Sequence, residues 1–368
     1  MNMDADVLVI GAGIVGAACA QALAAADLRV LVLDDRRGGA TGAGMGHLVV
    51  MDDNPAELAL SMHSLALWRA LAPSMAGTCD YRGCGTLWIA ANDREMVEAE
   101  QKQRRLSAHG LESHLLTEDA LRSAEPALRN GLTGALRVPG DGVVYAPAAA
   151  EWMLAQGASR IRVERARVVK IEGTRVQLDD GAWRNASHVL LANGIHATAL
   201  CPDLPLRPKK GHLLVTDRYP GMVRHQLVEL GYVTSAHHSE GDSVAFNVQP
   251  RPTGQLLIGS SRQFDTTDMK VEPAMLARML RRAIDYLPGV GDLNAVRTWT
   301  GLRAATPDGL PLLGPHPRHE GLWLAVGHEG LGVTTAPASA QLIAALMTGA
   351  APAIDPAPYL PERLLEAA

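Results

Sequence analysis

The chain has 368 residues, of which 47% are hydrophobic and 20% charged, so it can bury a sizeable core and is long enough for two domains. Its formal net charge of -5 gives no overall attraction to nucleic acid or to an anionic membrane. The four cysteines form no CxxC pair, so the sequence predicts neither a zinc site nor an iron–sulfur cluster.

The first predicted elements are a strand, a glycine-rich turn and a helix. The strand over residues 7–10 leads into Gly11, Gly13 and Gly16, and the next β-like segment closes on Asp34. In this context GxGxxG is the dinucleotide-binding pattern. The glycines permit the tight turn, the approach of a pyrophosphate and close packing of helix on strand, and the acid can accept hydrogen bonds from a ribose. The flanking residues in the predicted cofactor site are Ile14, Val15, Asp35 and Arg36.

Residues 7–26 carry no charge and, at about 20 residues, are long enough to span a bilayer. Against a span stand the glycines at nucleotide-loop spacing, Gln21 within the segment, and Asp6 and Asp27 at its edges. The acidic amino end, MNMDAD, differs from the basic start of a secretory signal. We therefore expect a cytoplasmic protein without an integral membrane segment, and peripheral attachment to the inner face of the membrane is left open.

Helices and strands alternate along the rest of the chain. Apolar residues at helical spacing predict helices over residues 55–71, 93–110, 148–156 and 274–287. Apolar and β-branched runs predict strands within 85–91, 160–181, 187–194, 211–216, 243–250 and 255–261. The last part predicts a strand, a glycine-rich turn at residues 327–332 and a long helix.

This alternation predicts an α/β fold, in which a Rossmann-type nucleotide domain is interrupted by a second, mainly antiparallel β-sheet domain for the substrate (α+β). The nucleotide domain is predicted to be discontinuous and to comprise residues 1–80, 141–205 and 300–368. The substrate domain is predicted to comprise residues 81–140 and 206–299.

Four further stretches follow the fingerprint: GGATGAGMGH, LLANGIHA, GLRAATPDGLPLLG and GHEGLGVTTAPASA. In this order they resemble the D-amino-acid-oxidase-like flavoproteins, a family that includes glycine oxidase, sarcosine oxidase and D-amino-acid dehydrogenases. The resemblance covers nearly the whole chain and implies FAD rather than NAD. Within the family, ATGAGMGHLVVMDD and GHEGLG are most similar to flavoprotein subunits of cis-4-hydroxy-D-proline dehydrogenase, opine dehydrogenase and hydrogen cyanide synthase.

The resemblance also implies which residues contact FAD. The small residues of the first stretch let backbone amides approach phosphate or flavin, although a flexible loop is the alternative reading. Amides at the amino end of the last helix suit the negative charge of a reduced flavin, and a capped surface helix is the alternative there. The implied contacts are Ala40, Thr41, Gly42, Ala43, Gly44, Met45, Gly46, His47, Val168, Ala192, Asn193, Gly194, Arg303, Gly330, Leu331, Gly332, Val333 and Thr334.

The flavin is predicted to be bound without a covalent link. Gly301 stands where monomeric sarcosine oxidases carry the cysteine that bonds flavin, so attachment at that position is excluded. Some relatives link flavin through a histidine in the region of His47, and this alternative remains open.

Substrate contacts are predicted in two parts of the chain, at Arg303 to Glu329 and within residues 212–247. Arg303 stands where related amino-acid oxidases place a carboxylate-binding arginine, and a guanidinium can hold a carboxylate through two parallel hydrogen bonds. Glu329 is a candidate partner for a substrate ammonium, and His328 for shaping the pocket or accepting a proton. Both can equally be structural. The candidates for the far wall, each with a core or surface role as the alternative, are His212, Tyr232, His237, His238 and Asn247.

These implications predict an FAD-dependent dehydrogenase that passes hydride from the carbon of a C–N bond to flavin N5 and leaves an imine. The predicted substrate is a D-amino or secondary amino acid such as cis-4-hydroxy-D-proline, and electrons pass to partner subunits or a respiratory acceptor. Three alternatives stay open: a peroxide-producing oxidase, a non-catalytic flavin subunit of a hetero-oligomer, and an NAD dehydrogenase, against which the terminal glycine–helix element argues.

Overall fold

The computed structural model describes residues 3–75, 77–231 and 241–366. Within these ranges the strands form a six-stranded and an eight-stranded sheet, with two smaller sheets of three and two strands. Tyr232, which is predicted to lie near the substrate, falls outside the described residues, as do His237 and His238.

The six-stranded sheet is built around the predicted glycine turn. β1 (Val7–Ile10) pairs in parallel with β2 (Val30–Asp34) on one side and with β12 (His188–Leu191) on the other. All four β1 residues are buried, as expected for a central parallel strand covered on both faces. The sheet continues with β8 (Ile161–Arg165) beside β2, β19 (Leu322–Val326) beside β12, and β18 (Leu312–Pro315), which is antiparallel to β19 at the edge.

At the centre of this domain, among the described helices, lie α1 (Ile14–Ala25), α6 (Ala146–Gln156) and α8 (Gly332–Thr348). α1 carries no charged side chain and consists largely of alanine, so α6 and α8 pack closely against it. The long uncharged run is therefore explained by burial of β1 and α1 at the centre of the domain. Among the described helices, none combines the length and apolar character that a bilayer span requires.

The eight-stranded sheet has neighbouring strands antiparallel except at one pair, β14 with β4. Its strands, in spatial order, are β17 (Ala295–Ala305), β13 (Arg207–Arg218), β16 (Gln255–Phe264), β15 (Ser243–Pro250), β14 (Gln226–Glu229), β4 (Thr86–Ala90), β6 (Gly134–Val138) and β5 (His114–Thr117). α7 (Pro273–Tyr286) covers the outer face of this sheet, where Met279, Ala283 and Tyr286 pack with Phe246 and Ile258. The inner face is turned toward the nucleotide domain.

The remaining described helices and strands lie outside the two large sheets. The helices are α2 (Ala40–Ala43), α3 (Pro55–Met75), α4 (Asp93–Ala108) and α5 (Glu118–Ala124). β3 (His47–Leu48) pairs with β7 (Gly142–Val143), and the three-stranded sheet contains β9 (Val168–Glu172), β10 (Arg175–Leu178) and β11 (Trp183–Asn185). Short 3₁₀ turns cover Gly194–Ala199, Pro288–Asp292, Ala357–Tyr359 and Pro361–Arg363.

The predicted fold class is confirmed, with differences in detail. The strands predicted within residues 160–181 divide between two sheets, because β8 joins the parallel sheet while β9 and β10 form the separate three-stranded one. β17 crosses the boundary predicted between residues 299 and 300, and its residues as far as Ala305 pair with β13. The domain ranges therefore stay a prediction.

Candidate functional site

The turn between β1 and α1 leaves no room for side chains at two of its glycines. Gly11 has a φ of +106°, and a Cβ there would stand 2.8 Å from Ala192 O. A Cβ on Gly16 would stand 2.0 Å from Gly11 O. At Gly13 the nearest atom to a Cβ would be Thr41 Oγ1, at 3.0 Å. The backbone at this turn is thus exposed to any ligand that approaches the amino end of α1.

Two side chains already accept hydrogen bonds from backbone amides at or near this turn. Asp34 accepts the Ala12 N–H and the Arg36 N–H, each at 2.7 Å, through separate carboxylate oxygens. Thr41 Oγ1 accepts the Ile14 N–H at 2.9 Å. Each carboxylate oxygen keeps a further lone pair for a ligand hydroxyl. Because Thr41 Oγ1 accepts from the first amide of α1, this amide is placed to bind an oxygen, the kind of atom that a phosphate would supply.

The residues beside the glycine turn fit a dinucleotide. Asn193 Oδ1 is buried and makes no hydrogen bond with any described residue, so an acceptor is open beside the glycine turn. The Ala166 N–H donates to Asp34 O at 3.1 Å, which brings the start of β9 at Val168 close to the same acid. Gly194, with a φ of +60°, follows Asn193 into its 3₁₀ turn. The helix amides, the Asp34 carboxylate and the Asn193 oxygen are the donor and acceptor types that a dinucleotide requires.

The early loop, residues 40–47, packs against the inner face of the eight-stranded sheet. Trp299 Nε1 donates to Ala43 O at 3.1 Å, and a Cβ on Gly301 would stand 2.5 Å from Ala43 Cβ. Gly46 has a φ of +77°, and a Cβ there would lie 1.9 Å from Val144 O. Met45 packs with Leu213 and Leu257 of the sheet. The loop therefore lies between the two domains, and Gly301 has no room for a side chain.

His47 at the end of this loop is held by side chains of the second domain. Its Nδ1 donates to Gln226 Oε1, and its Nε2 accepts the Asn247 amide N–H at 3.0 Å. Burial lowers the pKa of His47 to about 4, with Arg251 and Arg303 acting in the same direction, so the ring is neutral at pH 7. Asn247 Oδ1 is buried without a hydrogen-bond partner in the described part of the chain, which leaves one acceptor for a ligand N–H or O–H.

The terminal loop, residues 328–334, meets the early loop. Thr334 Oγ1 donates to His47 O at 2.9 Å, so segments 287 residues apart in sequence lie side by side. His328 Nε2 lies 3.1 Å from Ser339 Oγ on α8, and burial lowers the pKa of His328 to about 4. A neutral His328 thus anchors the loop to its own helix. Gly332 begins α8, so the amides of its first turn lie beside the early loop.

A charged cluster lies next to the terminal loop. Lys209 Nζ donates to Glu329 Oε1 at 2.7 Å, and Lys209 stands directly opposite Arg303 in the register of β13 and β17. Burial alone would raise the pKa of Glu329, but Lys209, Arg262 and Arg303 outweigh it and hold that pKa at about 2. Arg303 Nη1 donates to Ser261 O at 3.2 Å. Lys209 neutralises Glu329, so Arg303 adds positive charge to this part of the inner face.

His212 is not brought to this cluster. Side chains alternate along a strand, so His212 and Lys210 point to the outer face of β13, opposite Lys209. His212 Nδ1 donates to Ser261 Oγ at 2.9 Å, and Nε2 accepts the Glu272 N–H at 3.0 Å at the start of α7. The ring is fully buried, and burial lowers its pKa. In this position His212 is a satisfied polar residue beneath a helix.

The sequence patterns did not predict a place in the site for Lys209, Gln226 or Arg251. The sequence PKKGH held a signal for Lys209, because two adjacent lysines on one strand must point to opposite faces. Lys210 pairs with Glu272 on the outer side, which leaves Lys209 on the inner one. Gln226 had no comparable signal, since a single glutamine is ordinary on a protein surface.

Comparison with known proteins identifies the family. A family model described as FAD dependent oxidoreductase (DAO) matches residues 6–346, which is most of the chain. This chain belongs to the FAD dependent oxidoreductase family. The resemblance seen in the sequence is therefore confirmed, and FAD is the cofactor of this DAO family member.

Relatives of the DAO member match over most or nearly all of its length. It is 30% identical over 383 residues to a glycine oxidase from Pseudomonas putida, a match covering 98% of this chain and 99% of that protein. It is 30% identical over 302 residues to a D-amino acid dehydrogenase from Cereibacter sphaeroides, covering 76% of this chain and 64% of that protein. The crystal structure of glycine oxidase from Geobacillus kaustophilus superposes with a TM-score of 0.86 at 27% identity, covering 97% of this chain and 98% of that one.

Proposed function

We propose that this chain is a dehydrogenase that oxidises the C–N bond of a D-amino or secondary amino acid, with cis-4-hydroxy-D-proline as a candidate substrate. The observation that carries the proposal is the pair Arg303 and Lys209 on the inner face, beside the terminal loop. A carboxylate needs such a cationic partner in a partly buried site. The relatives named glycine oxidase and D-amino acid dehydrogenase support an amino acid as the substrate class.

FAD, held by the glycine turn and by the early and terminal loops, would supply the hydride acceptor for oxidation of the substrate carbon, and water would hydrolyse the imine released. The residues of this chain have to bind the substrate and hold its C–H bond in place. Arg303 forms no ion pair with any described residue, so its guanidinium can hold the carboxylate through two parallel hydrogen bonds. Glu329 is engaged by Lys209, and we assign to it the positioning of that lysine next to the carboxylate.

The amine end of the substrate faces a neutral environment. His47 is uncharged, and Asn247 Oδ1 offers an acceptor for an amine N–H or for the hydroxyl of a hydroxyproline. Lys209 is balanced by Glu329, so the remaining positive charge of Arg303 disfavours a substrate ammonium nearby and lowers its pKa. Because hydride leaves from carbon next to a neutral amine lone pair, this charge distribution favours the reactive form of the substrate.

An anaerobic stopped-flow screen tests the proposal. Loss of flavin absorbance is followed with D-amino acids, D- and L-hydroxyprolines, sarcosine, glycine and opines. We expect reduction by at least one D-amino or secondary amino acid and much slower reduction by its amide, which lacks the carboxylate. Failure of every amino acid to bleach the flavin would contradict catalysis and favour the non-catalytic subunit.

An oxidase is the second candidate, because the chain matches glycine oxidases over nearly its full length. The two activities differ in the fate of the electrons. A dehydrogenase turns over with an artificial dye and gives little hydrogen peroxide in air. Peroxide formed in a one-to-one ratio with substrate consumed would identify an oxidase instead.

We further propose a non-covalent FAD and transfer of electrons to partner subunits or to a respiratory acceptor at the membrane. Both ring nitrogens of His47 have hydrogen-bond partners and Gly301 has no space for a linking side chain, which supports a non-covalent cofactor. Acid precipitation should leave the yellow colour in solution, and colour retained in the pellet would contradict this. A membrane fraction that fails to reoxidise the reduced protein without oxygen would argue against a respiratory acceptor.

A further inference from the structure

A group of potential metal ligands lies in the nucleotide domain, outside the flavin and substrate site. Cys201 and Asp203 follow the 3₁₀ turn Gly194–Ala199, and His316 and His319 lie in the connection between β18 and β19. One ligand atom from each of the four side chains lies within 4.8 Å of every other. Two short segments, CPD and HPRH, thus bring a thiol, a carboxylate and two imidazoles together.

One ligand atom in this group is buried without a hydrogen bond. His316 is 4% exposed, and its Nε2 makes no hydrogen bond within the described residues, although it lies 3.3 Å from Asp203 Oδ2. Cys201, 3% exposed, directs Sγ to Asp203 Oδ1 at 2.9 Å. The rings of His316 and His319 lie 4.4 Å apart. A buried ring nitrogen that makes no hydrogen bond is unfavourable, and here it lies beside a carboxylate and a thiol, the groups with which it could share a cation.

We propose that Cys201, Asp203, His316 and His319 form a four-ligand site for a divalent cation of the Zn²⁺ type. Thiolate, imidazole and carboxylate are the ligands that Zn²⁺ takes in tetrahedral sites. Tetrahedral bond lengths place neighbouring ligand atoms roughly 3.3–3.8 Å apart, so the present spacing has to contract by on the order of 1 Å. Cysteine spacing alone did not predict such a site, because its ligands come in CxD and HxxH spacing and not as CxxC pairs.

Metal binding rearranges three contacts in the cluster. The Cys201 thiol loses its proton to solvent, since only the thiolate is a ligand. Without metal, His316 Nδ1 accepts the Arg318 N–H at 3.2 Å. When Nε2 binds the cation, the ring proton moves to Nδ1, which breaks this hydrogen bond. The Arg318 guanidinium, which binds Asp203, has to share or release this carboxylate. Arg318 therefore competes with the cation.

The site would act on stability rather than on catalysis. It joins the connection between β12 and β13 to the hairpin of β18 and β19 at the edge of the parallel sheet. A cation bound only by the folded chain stabilises it by mass action. We therefore expect added Zn²⁺ to raise the thermal unfolding temperature and leave anaerobic flavin reduction unchanged, so this test is independent of the proposed function.

The experiment uses the FAD-loaded chain, freed of metal with a chelator and titrated with Zn²⁺ or Co²⁺. We expect one tightly bound equivalent, Co²⁺ bands at longer wavelengths than the flavin absorbs, and a zinc X-ray absorption spectrum with one sulfur at about 2.3 Å. His319 is exposed, so His319→Ala should fold normally, and it should weaken binding by at least about 100-fold, because changes beyond the ligand shell already cost roughly 10- to 100-fold.

Two further variants sharpen the test. Arg318→Ala should bind Zn²⁺ more tightly than the wild type, because the competing cation is gone, whereas His114→Ala, a change at an exposed histidine elsewhere, should bind like the wild type. Wild-type protein that binds no Zn²⁺ beyond the level of His319→Ala would overturn the proposal. A bound zinc without a sulfur neighbour would also overturn it.

Discussion

Single residues set the charge of the substrate region. Glu329 has a φ of +48°, a left-handed backbone that costs energy in a residue with a side chain. Its N–H donates to Ala304 O at 2.9 Å and its carboxylate is held by Lys209, so neighbouring contacts maintain the conformation. This conformation turns the Glu329 carboxylate toward β13, where it fixes Lys209 opposite Arg303.

Arg303→Ala should weaken the binding of carboxylate substrates by roughly 2 to 5 kcal/mol, because a buried charge pair loses one partner. The measurement is the substrate concentration for half-maximal flavin reduction. Arg297→Ala serves as the control, since Arg297 is exposed and lies on the same strand. An unchanged half-saturation for acids in Arg303→Ala would dismiss the carboxylate role.

Lys209→Met should change the dependence of stability on pH. The pKa of Glu329 is depressed from 4.5 to about 2, so its contribution to stability is fully present above pH 4.5 and is lost as the pH falls toward 2. Without Lys209 the pKa of Glu329 rises. The difference in unfolding free energy between wild type and variant should therefore be largest above pH 4.5 and should shrink in acid.

Denaturant unfolding at several pH values measures this difference. Lys170→Met is the matched control, because Lys170 pairs with Glu172 in an exposed ion pair of the kind that contributes little to stability. A wild-type advantage over Lys209→Met that does not shrink between about pH 7 and about pH 3, where part of the Glu329 contribution is already lost, would show that Glu329 does not depend on Lys209.

Among the elements, the β1–α1 turn has the strictest steric requirement. Gly16→Ala would place a methyl group 2.0 Å from the Gly11 carbonyl oxygen, so the strand and helix have to separate. We expect a loss of roughly 1–3 kcal/mol in unfolding free energy, together with weaker FAD retention. In the control Gly83→Ala, which lies outside the predicted cofactor stretches, the added methyl group meets no atom within 4 Å. Equal thermal unfolding and equal FAD occupancy in the two variants would refute the packing argument.

The contact between α8 and the early loop is a second element with a testable role. Thr334 is 1% exposed, and Thr334→Val removes the hydroxyl that donates to His47 O. Leaving a buried carbonyl unpaired should cost roughly 1–3 kcal/mol and loosen the flavin. Thr348→Val, in the last turn of α8, removes a hydroxyl that bonds only within its own helix. We expect this control to differ little from the wild type in chemical denaturation and FAD affinity.

At the scale of the whole molecule, local patterns predicted the elements better than the site. The glycine turn, Asp34 and the helices could be predicted because periodicity and turn chemistry act within a few residues. The inner and outer faces of β13 could not be predicted, because side chains alternate along a strand. A shift of one residue in the strand register would turn His212 to the inner face and Lys209 to the outer one. Likewise, the bonds from His47 to Gln226 and Asn247 join residues 179 and 200 positions away in sequence. These residues come together only when the early loop packs against the eight-stranded sheet.

The proposed function requires that the first and last segments of the chain meet on one flavin, with the substrate cations facing it. An experimental structure of the chain with bound FAD tests this most directly. We expect the diphosphate at the Gly11–Gly16 turn and the flavin ring between the early and terminal loops, with Arg303 and Lys209 on its open side. A flavin ring remote from residues 330–334, or Arg303 directed away from it, would refute this arrangement.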